Sequence, residues 1–189
     1  MRKNYFSNTL KMLLAVVFSC VFMSVWAQSE IHVEKAGTLP SLLPTSENTL
    51  KITGSINGTD VKHLRKLISE GSVNSLDLSG VRIVKGGSAY DGTNKTEDDI
   101  IGPTMFKNFT NLRSVELPAT ITAIRSQAFA ATGLKKVDIP NTVSTLEDHV
   151  FADCSFLNTV VIGRRVSRMH QGVFYNSPVK TAFVKPETP

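Results

Sequence analysis

The sequence predicts an α/β solenoid: a short, curved parallel β-sheet closed at its N-terminal end by a strand–helix–strand cap. Three observations carry this. Phe106, Phe129, Phe151 and Phe174 step by 23, 22 and 23 residues. Each is followed by apolar positions in near-constant register: Leu112, Val115, Leu117, Ile121 and Ile124; then Leu134, Val137, Ile139, Val143 and Leu146; then Leu157, Val160, Ile162, Val166 and Met169; then Val179, Ala182 and Val184. Ahead of these repeats, residues 49–84 read as strand, helix and strand. A fixed period of this size means stacked units that each bury an apolar edge against the next.

Within each repeat the pairs Val115/Leu117, Val137/Ile139 and Val160/Ile162 alternate with polar neighbours, so both members of a pair face one side of a short strand. Pro118 and Pro140 end their strands, because proline has no N–H for the ladder. Ile121/Ile124 and Val143/Leu146 fill the opposite wall. The four phenylalanines stack as an interior spine, each ring contributing on the order of 1.5–3 kcal/mol by burial.

Residues 1–27 are not part of the fold. Arg2, Lys3 and Lys11 precede an apolar run from Met12 to Trp26, and Val25-Trp26-Ala27 supplies a cleavage site after Ala27; the pattern is a secretory signal peptide. The run is shorter than the ~20 apolar residues of a spanning helix, which disfavours an anchor. A lipidated Cys20 is a further alternative. Removing this segment deletes three basic and no acidic residues, taking the formal charge from +5 to +2. No clustered basic face then argues for nucleic acid. Cys154, alone after cleavage, has no disulfide partner and reads as a small buried hydrophobe.

Residues 28–48 form a leader in which Ile31 and Val33 alternate and Pro40 and Pro44 break regular structure. Leu50 to Thr53 is a strand ended by Gly54. Gly58-Thr59-Asp60 starts a helix carrying Val61, Leu64, Leu67 and Ile68, and Gly71 stops it. Leu76 and Leu78 point inward from the next strand. Residues 85–99, rich in Gly, Ser, Thr and Asn, read as a long exposed loop, disordered rather than functional. Residues 100–189 hold the repeats.

The repeat resembles that of the BspA-like bacterial leucine-rich repeat proteins, Ile-Gly-x-x-Ala-Phe-x-x-Cys-x-x-Leu-x-x-Val-x-Ile-Pro-x-Ser-Val-x-x-Ile. Ala128-Phe129, Leu134, Val137, Ile139-Pro140, Val143 and Leu146 fit it, and Phe151-Ala152-Asp153-Cys154 fits even the cysteine. Ala36-Gly37-Thr38-Leu39 and the stretch Ile52 to Asp60 resemble the N-terminal region of such proteins in Bacteroidales. Gly163 and Lys185 stand where proline is usual, changes expected to loosen loops without touching the core. The resemblance implies a secreted or cell-surface protein that binds a protein or peptide, with host matrix protein as one candidate.

His32, His63, His149 and His170 match no nucleophile or metal pattern, and no phosphate-cradling glycine loop is present. His149 and His170 read as solvent-facing turn residues. No cofactor is expected. The outward column of the sheet's concave side is more informative: Lys51, Asp77, Glu116, Asp138, Val161 and Phe183, beside Ser75, Ser114, Lys136, Thr159 and Thr181. Asp77, Glu116 and Asp138 would align at roughly 5 Å, where like charges repel; Lys136 is the expected counter-charge. Val161 and Phe183 are apolar where water is expected. The column is either a solvated acidic stripe or a face for protein recognition, acidic at one end and apolar at the other. Thr181 to Val184 form the last strand, which Lys185, Pro186 and Pro189 blunt or which docks a partner or further chain. The function expected is non-enzymatic binding. Alternatives are a structural subunit of the bacterial envelope, or an enzyme with an unrecognised site in residues 85–99. Oligomeric state is open.

Overall fold

The computed structural model describes residues 30–42 and 48–186. The signal-peptide reading, Cys20, Pro44 and Pro189 therefore lie outside the described residues. Thirteen elements follow in order: β1 (Glu30–Val33), a 3-10 turn (Leu39–Ser41), β2 (Thr49–Ile56), α1 (Gly58–Ser69), β3 (Ser75–Ile83), β4 (Ile100–Ile101), β5 (Ser114–Glu116), β6 (Ala123–Ile124), β7 (Lys136–Asp138), β8 (Thr145–Leu146), β9 (Thr159–Ile162), β10 (Arg168–Met169) and β11 (Thr181–Val184).

The chain winds as a parallel β-solenoid of about seven turns. One wall is the expected long sheet, β1–β2–β3–β5 continued by β7–β9–β11, all parallel. The opposite wall is a second parallel sheet, β4–β6–β8–β10, built from two-residue strands. Pairs of inward residues, Leu76/Leu78 through Val160, and single ones such as Ile124 and Leu146, bury between the walls.

The spine closes the third side. Phe106, Phe129, Phe151 and Phe174 stack with centroids 5.3, 5.4 and 5.7 Å apart and planes within 15°. A backbone row accompanies them. The Phe106 N–H donates to the Ala128 carbonyl at 2.7 Å, Phe129 to Val150 at 2.9 Å, and Phe151 to Val173 at 2.8 Å. Residues two before and two after each ring repeat the pattern: Thr104 and Asn108, Gln127 and Ala131, and His149 and Asp153 all donate to the following turn. These positions are left-handed, with φ from 54° to 68°. That region is unfavourable for most L-residues and is tolerated where the surrounding structure fixes it. Inside the row, Thr132 Oγ1 and Cys154 Sγ both donate to the Phe129 carbonyl, and Ser177 Oγ donates to that of Phe151. Cys154 is thus fully buried and hydrogen-bonded, and burial pushes its thiol pKa up.

The N-terminal end is closed by polar groups. Asp60, fully buried in the first turn of α1, accepts N–H bonds from Gly37, Leu39 and Asn57. It ties the leader to the helix start, joining the two segments of the Bacteroidales-type resemblance. Arg65 of α1 lies over the Phe109 ring at 5.0 Å and donates to the carbonyls of Thr104 and Met105 at 3.0 and 2.6 Å. Tyr90 Oη donates to the Pro103 carbonyl at 2.8 Å. Pro103 and Met105 occupy, in the first turn of the row, the places of the acceptors Ser126 and Ala128 in the next. Arg65 and Tyr90 therefore supply the donors that a preceding turn would have given.

Tyr90 corrects the expectation for residues 85–99. They are neither disordered nor exposed throughout: Tyr90 and Thr96 are each 3 % or less exposed. The polar residues that suggested disorder instead bind the loop's own backbone. Asp91 accepts from the N–H groups of Thr93 and Asn94, from the Asn94 side chain and from Thr104 Oγ1. Thr96 Oγ1 donates to the carbonyls of Val84 and Gly86. Glu97 reaches Arg125, which also pairs with Glu147 at 2.6 Å.

Two outcomes are expected. Phe129→Ala destabilises by about 3–5 kcal/mol in denaturant melts, because a fully buried ring leaves a cavity, whereas half-buried Phe174→Ala costs distinctly less. Equal losses would contradict a spine graded by burial. The second concerns pH. Burial pushes the Asp91 carboxyl up, but its donors from Thr104, Asn94 and Thr93 outweigh this and hold it well below the ordinary 3.8. A folded-state pKa below the unfolded one stabilises above the unfolded value and is lost as pH falls through the folded one. Protection factors for amide exchange at Thr93 and Asn94, which remove the intrinsic pH dependence, should hold steady above pH 3.8 and fall in more acid solution, while that of Phe129 is retained.

Candidate functional site

The residues proposed as the recognition face project from the long sheet opposite to its buried pairs. Period-two alternation sets this, and the strand register aligns them. Glu30 sits beside Lys51, Lys51 beside Asp77 and Asp77 beside Glu116. Asp138 sits beside Val161 and Val161 beside Phe183. In the flanking column Ser75 adjoins Ser114, and Lys136 adjoins Thr159, which adjoins Thr181. The column is continuous within each ladder. Between β5 and β7 the strands touch without a bridge.

The charge pairing differs from expectation. Lys136 is exposed and makes no ion pair among the described residues. The counter-charge is Lys185, which follows β11 and pairs with Asp138 across β9. Lys51 pairs with Glu30 at 2.9 Å and holds its carboxyl below the usual range. Asp77 Oδ1 accepts from the N–H and hydroxyl of Ser79 at 2.9 and 2.6 Å. Among the described residues Glu116 is the acid of the stripe left with neither an ion pair nor a hydrogen bond. It borders a shallow depression of about 380 Å³ with Leu117, Asp138, Pro140, Asn141 and Lys185. At the apolar end Val161 is half-buried and Phe183 is 49 % exposed.

Gly163 also departs from its sequence reading. It is buried, and a Cβ there would stand 2.2 Å from the Pro140 carbonyl oxygen. Its effect is a close backbone approach between turns, not a loosened loop. Without proline at that position β9 extends to Ile162, whereas β5 and β7 stop at Glu116 and Asp138. Lys185, likewise no proline, donates its N–H to the Ile162 carbonyl at 2.9 Å.

His149 is not a free turn residue. It is half-buried at φ 58° and packs edge-on against Tyr175 with centroids 6.1 Å apart. His170 is exposed, with Nδ1 3.9 Å from an Asp148 carboxylate oxygen. Among the described residues no group of three or more His, Cys, Asp or Glu is placed to hold a metal ion. No helix among them is long and apolar enough to cross a membrane.

The family profile described as "BspA type Leucine rich repeat region" matches residues 94–188 in six copies. The chain belongs to the BspA-type leucine-rich repeat family. A crystal structure of a leucine-rich repeat protein from Bacteroides ovatus ATCC 8483 is similar at 19% identity and a TM-score of 0.43, over 81% of this chain and 39% of that one. The chain thus spans well under half of that protein. No curated protein matches it. The match covers the two sheets' repeating part and the outward columns of β5, β7, β9 and β11, but not the α1 cap.

Gly163→Ala should destabilise this BspA-type repeat by about 1–3 kcal/mol through overpacking against Pro140. Urea denaturation reads the loss; an unchanged midpoint would mean the two turns can separate freely.

Proposed function

We propose that this BspA-type protein is an exported, non-enzymatic recognition module that binds a protein partner across the outward face of its long sheet. The observation that carries the reading is the column itself, in which acids on β3, β5 and β7 give way to apolar residues on β9 and β11 along one wall. Glu116 lacks an internal partner, so it is available to a basic side chain. Beyond Asp138, Val161 on β9 and Phe183 on β11 offer apolar area on the same face, and apolar area with a polar margin is the combination that protein interfaces use. Asp77 and Asp138 are already engaged by Ser79 and Lys185, so they shape the face more than they attract a partner. Lys136 supplies a cation at its margin.

Export rests on the basic start, the apolar run from Met12 to Trp26 and the small residues Val25 and Ala27. A protein sent outside the cell fits a partner in the extracellular space, and host matrix proteins are the class to try first.

The purified protein is tested by surface plasmon resonance against a panel of extracellular matrix proteins, beside Glu116→Lys and Phe183→Ser. Both substituted residues are exposed, so the variants fold. An interface of this kind places its largest losses at central contacts, on the order of tenfold or more in Kd. Equal binding by all three proteins rejects the face. Mass determination of the exported chain, expected to begin at Gln28, tests the cleavage independently.

A further inference from the structure

The long sheet has a side edge as well as a face. Just ahead of Ser75, Ser114, Lys136, Thr159 and Thr181 runs a further column: Asn74, Arg113, Lys135, Asn158 and Lys180. Backbone bonds tie it together, with the Arg113 N–H donating to the Asn74 carbonyl, Asn158 to Lys135 and Lys180 to Asn158. Arg113, Lys135 and Lys180 are exposed and form no ion pair among the described residues. Arg113 is oriented as the lysines are not. Its guanidinium lies over the Phe156 ring at 4.9 Å, two turns away. The turn between places Gly133 in register with Phe156. A Cβ at Gly133 would stand 2.2 Å from the Thr110 carbonyl oxygen and 3.0 Å from Arg113 Nη1, so the crossing needs glycine there. The Arg65 guanidinium spends its N–H groups on the carbonyls of Thr104 and Met105. That of Arg113 has no acceptor among the described residues. Phe156 is itself 52 % exposed, and exposed Pro178 holds its place in the next turn.

Acids border this strip without entering it. Neither the column nor the flanking one beside it, which adds Lys136, holds an acid. Two residues further along the strands come Asp77, Glu116 and Asp138; Asp77 is held by Ser79 and Asp138 by Lys185. On the spine side Asp153 is exposed and accepts from the Asn176 amide at 2.8 Å. Glu70, at the end of α1, pairs with Lys66 at 3.8 Å. Glu47 precedes Asn48, whose carbonyl accepts from Asn74, and lies outside the described residues. The strip is a line of cations between acidic margins. Such margins repel a diffusely charged anion and are overcome by one whose charges are dense and fall on the cations themselves.

We infer that this side edge binds a sulfated polysaccharide, which runs along the stack past β5, β7, β9 and β11. Its sulfates meet Arg113, Lys135 and Lys180, which stand one or two turns apart, roughly 5 to 10 Å. The guanidinium fork of Arg113 matches a pair of sulfate oxygens. The C–H face of a sugar ring covers Phe156 and Pro178. An extended peptide would need a ladder to join, and the N–H groups of Arg113, Asn158 and Lys180 are already spent within the column. Single-stranded nucleic acid uses a succession of aromatic platforms, whereas one exposed ring, Phe156, meets Arg113 here. Turns stack along the axis and the strip lies on their side, so turns before or after would lengthen it without covering it.

The test measures fluorescence anisotropy of labelled heparin against the purified full-length protein. Polygalacturonate, which carries carboxylates without sulfate, single-stranded DNA and vesicles containing phosphatidylglycerol are assayed in parallel. Heparin is expected to bind, with affinity falling as salt rises, and polygalacturonate to bind on the order of tenfold more weakly. Arg113→Gln and the double variant Lys135→Glu/Lys180→Glu should each weaken heparin binding on the order of tenfold. Phe156→Ser should weaken it roughly threefold, because the ring that orients Arg113 is lost. Arg164→Glu/Arg165→Glu makes the same change in net charge beyond the other end of the strands and should stay within roughly twofold of the unaltered protein. All these positions are exposed, and thermal melts confirm folding. Four results would overturn the inference: no heparin binding, equal losses in the two double variants, polygalacturonate bound as tightly as heparin, or DNA or vesicles bound in preference to it. Glu116→Lys removes an acid from the margin and should tighten heparin binding while it weakens the protein-binding face, so either site can fail without the other.

Discussion

The direction of hydrogen bonding along the phenylalanine spine constrains everything else. Three N–H groups in each turn must meet three carbonyls in the next while the rings stay 5.3–5.7 Å apart. Both requirements act along the same axis, so a turn can neither slip nor lengthen without losing both. The repeat length of 22 or 23 residues follows, and with it the register of both sheets. The outward column of Asp77, Glu116, Val161 and Phe183 is aligned because the spine on the far side is.

The spine and the long sheet were legible in the sequence because a large apolar residue at fixed spacing, and period-two alternation after it, survive reading one residue at a time. The second sheet was not. Its strands are two residues long and bury one side chain each, such as Ile124 and Leu146, too little for alternation to register. The left-handed positions left a partial signal: Asn108, His149, Asp153, Asn176 and Gly172 are types that tolerate positive φ, but Thr104, Gln127 and Ala131 are not distinctive. Residues 85–99 misled because composition cannot say whether polar side chains face water or close on their own backbone. Asp91 and Thr96 do the latter, and Tyr90 is recruited into the cap.

The candidate face divides the same way. Which residues point outward was a matter of parity, and the register agrees with it. Which charges neutralise each other was not, because Lys185 and Asp138 are 47 positions apart and meet only once β9 has been placed between them. The consequence is substantive: with Asp77 held by Ser79 and Asp138 by Lys185, an apparent stripe of three acids reduces to one acid, Glu116, beside a shallow depression. Recognition on this face therefore rests on position and apolar area more than on bulk negative charge.

A parallel solenoid is polar in a way that an antiparallel sheet is not, and this asks for different chemistry at its two ends. Carbonyls at the start of the row need donors, which is why a guanidinium and a phenol, Arg65 and Tyr90, sit there and why burial around both is tolerated. N–H groups at the finish need acceptors, and no rearrangement of Arg164, Arg165, Arg168 or Lys180 can provide them, since lysine and arginine side chains carry donors alone. Apolar covering by itself would leave those N–H groups buried and unpaired, at a penalty of about 1–3 kcal/mol each. In each earlier turn the next one meets this need by bringing carbonyls together with its apolar residues, as Val150 does for Phe129 and Val173 for Phe151, so the requirement comes from the direction of the backbone before any side chain is considered.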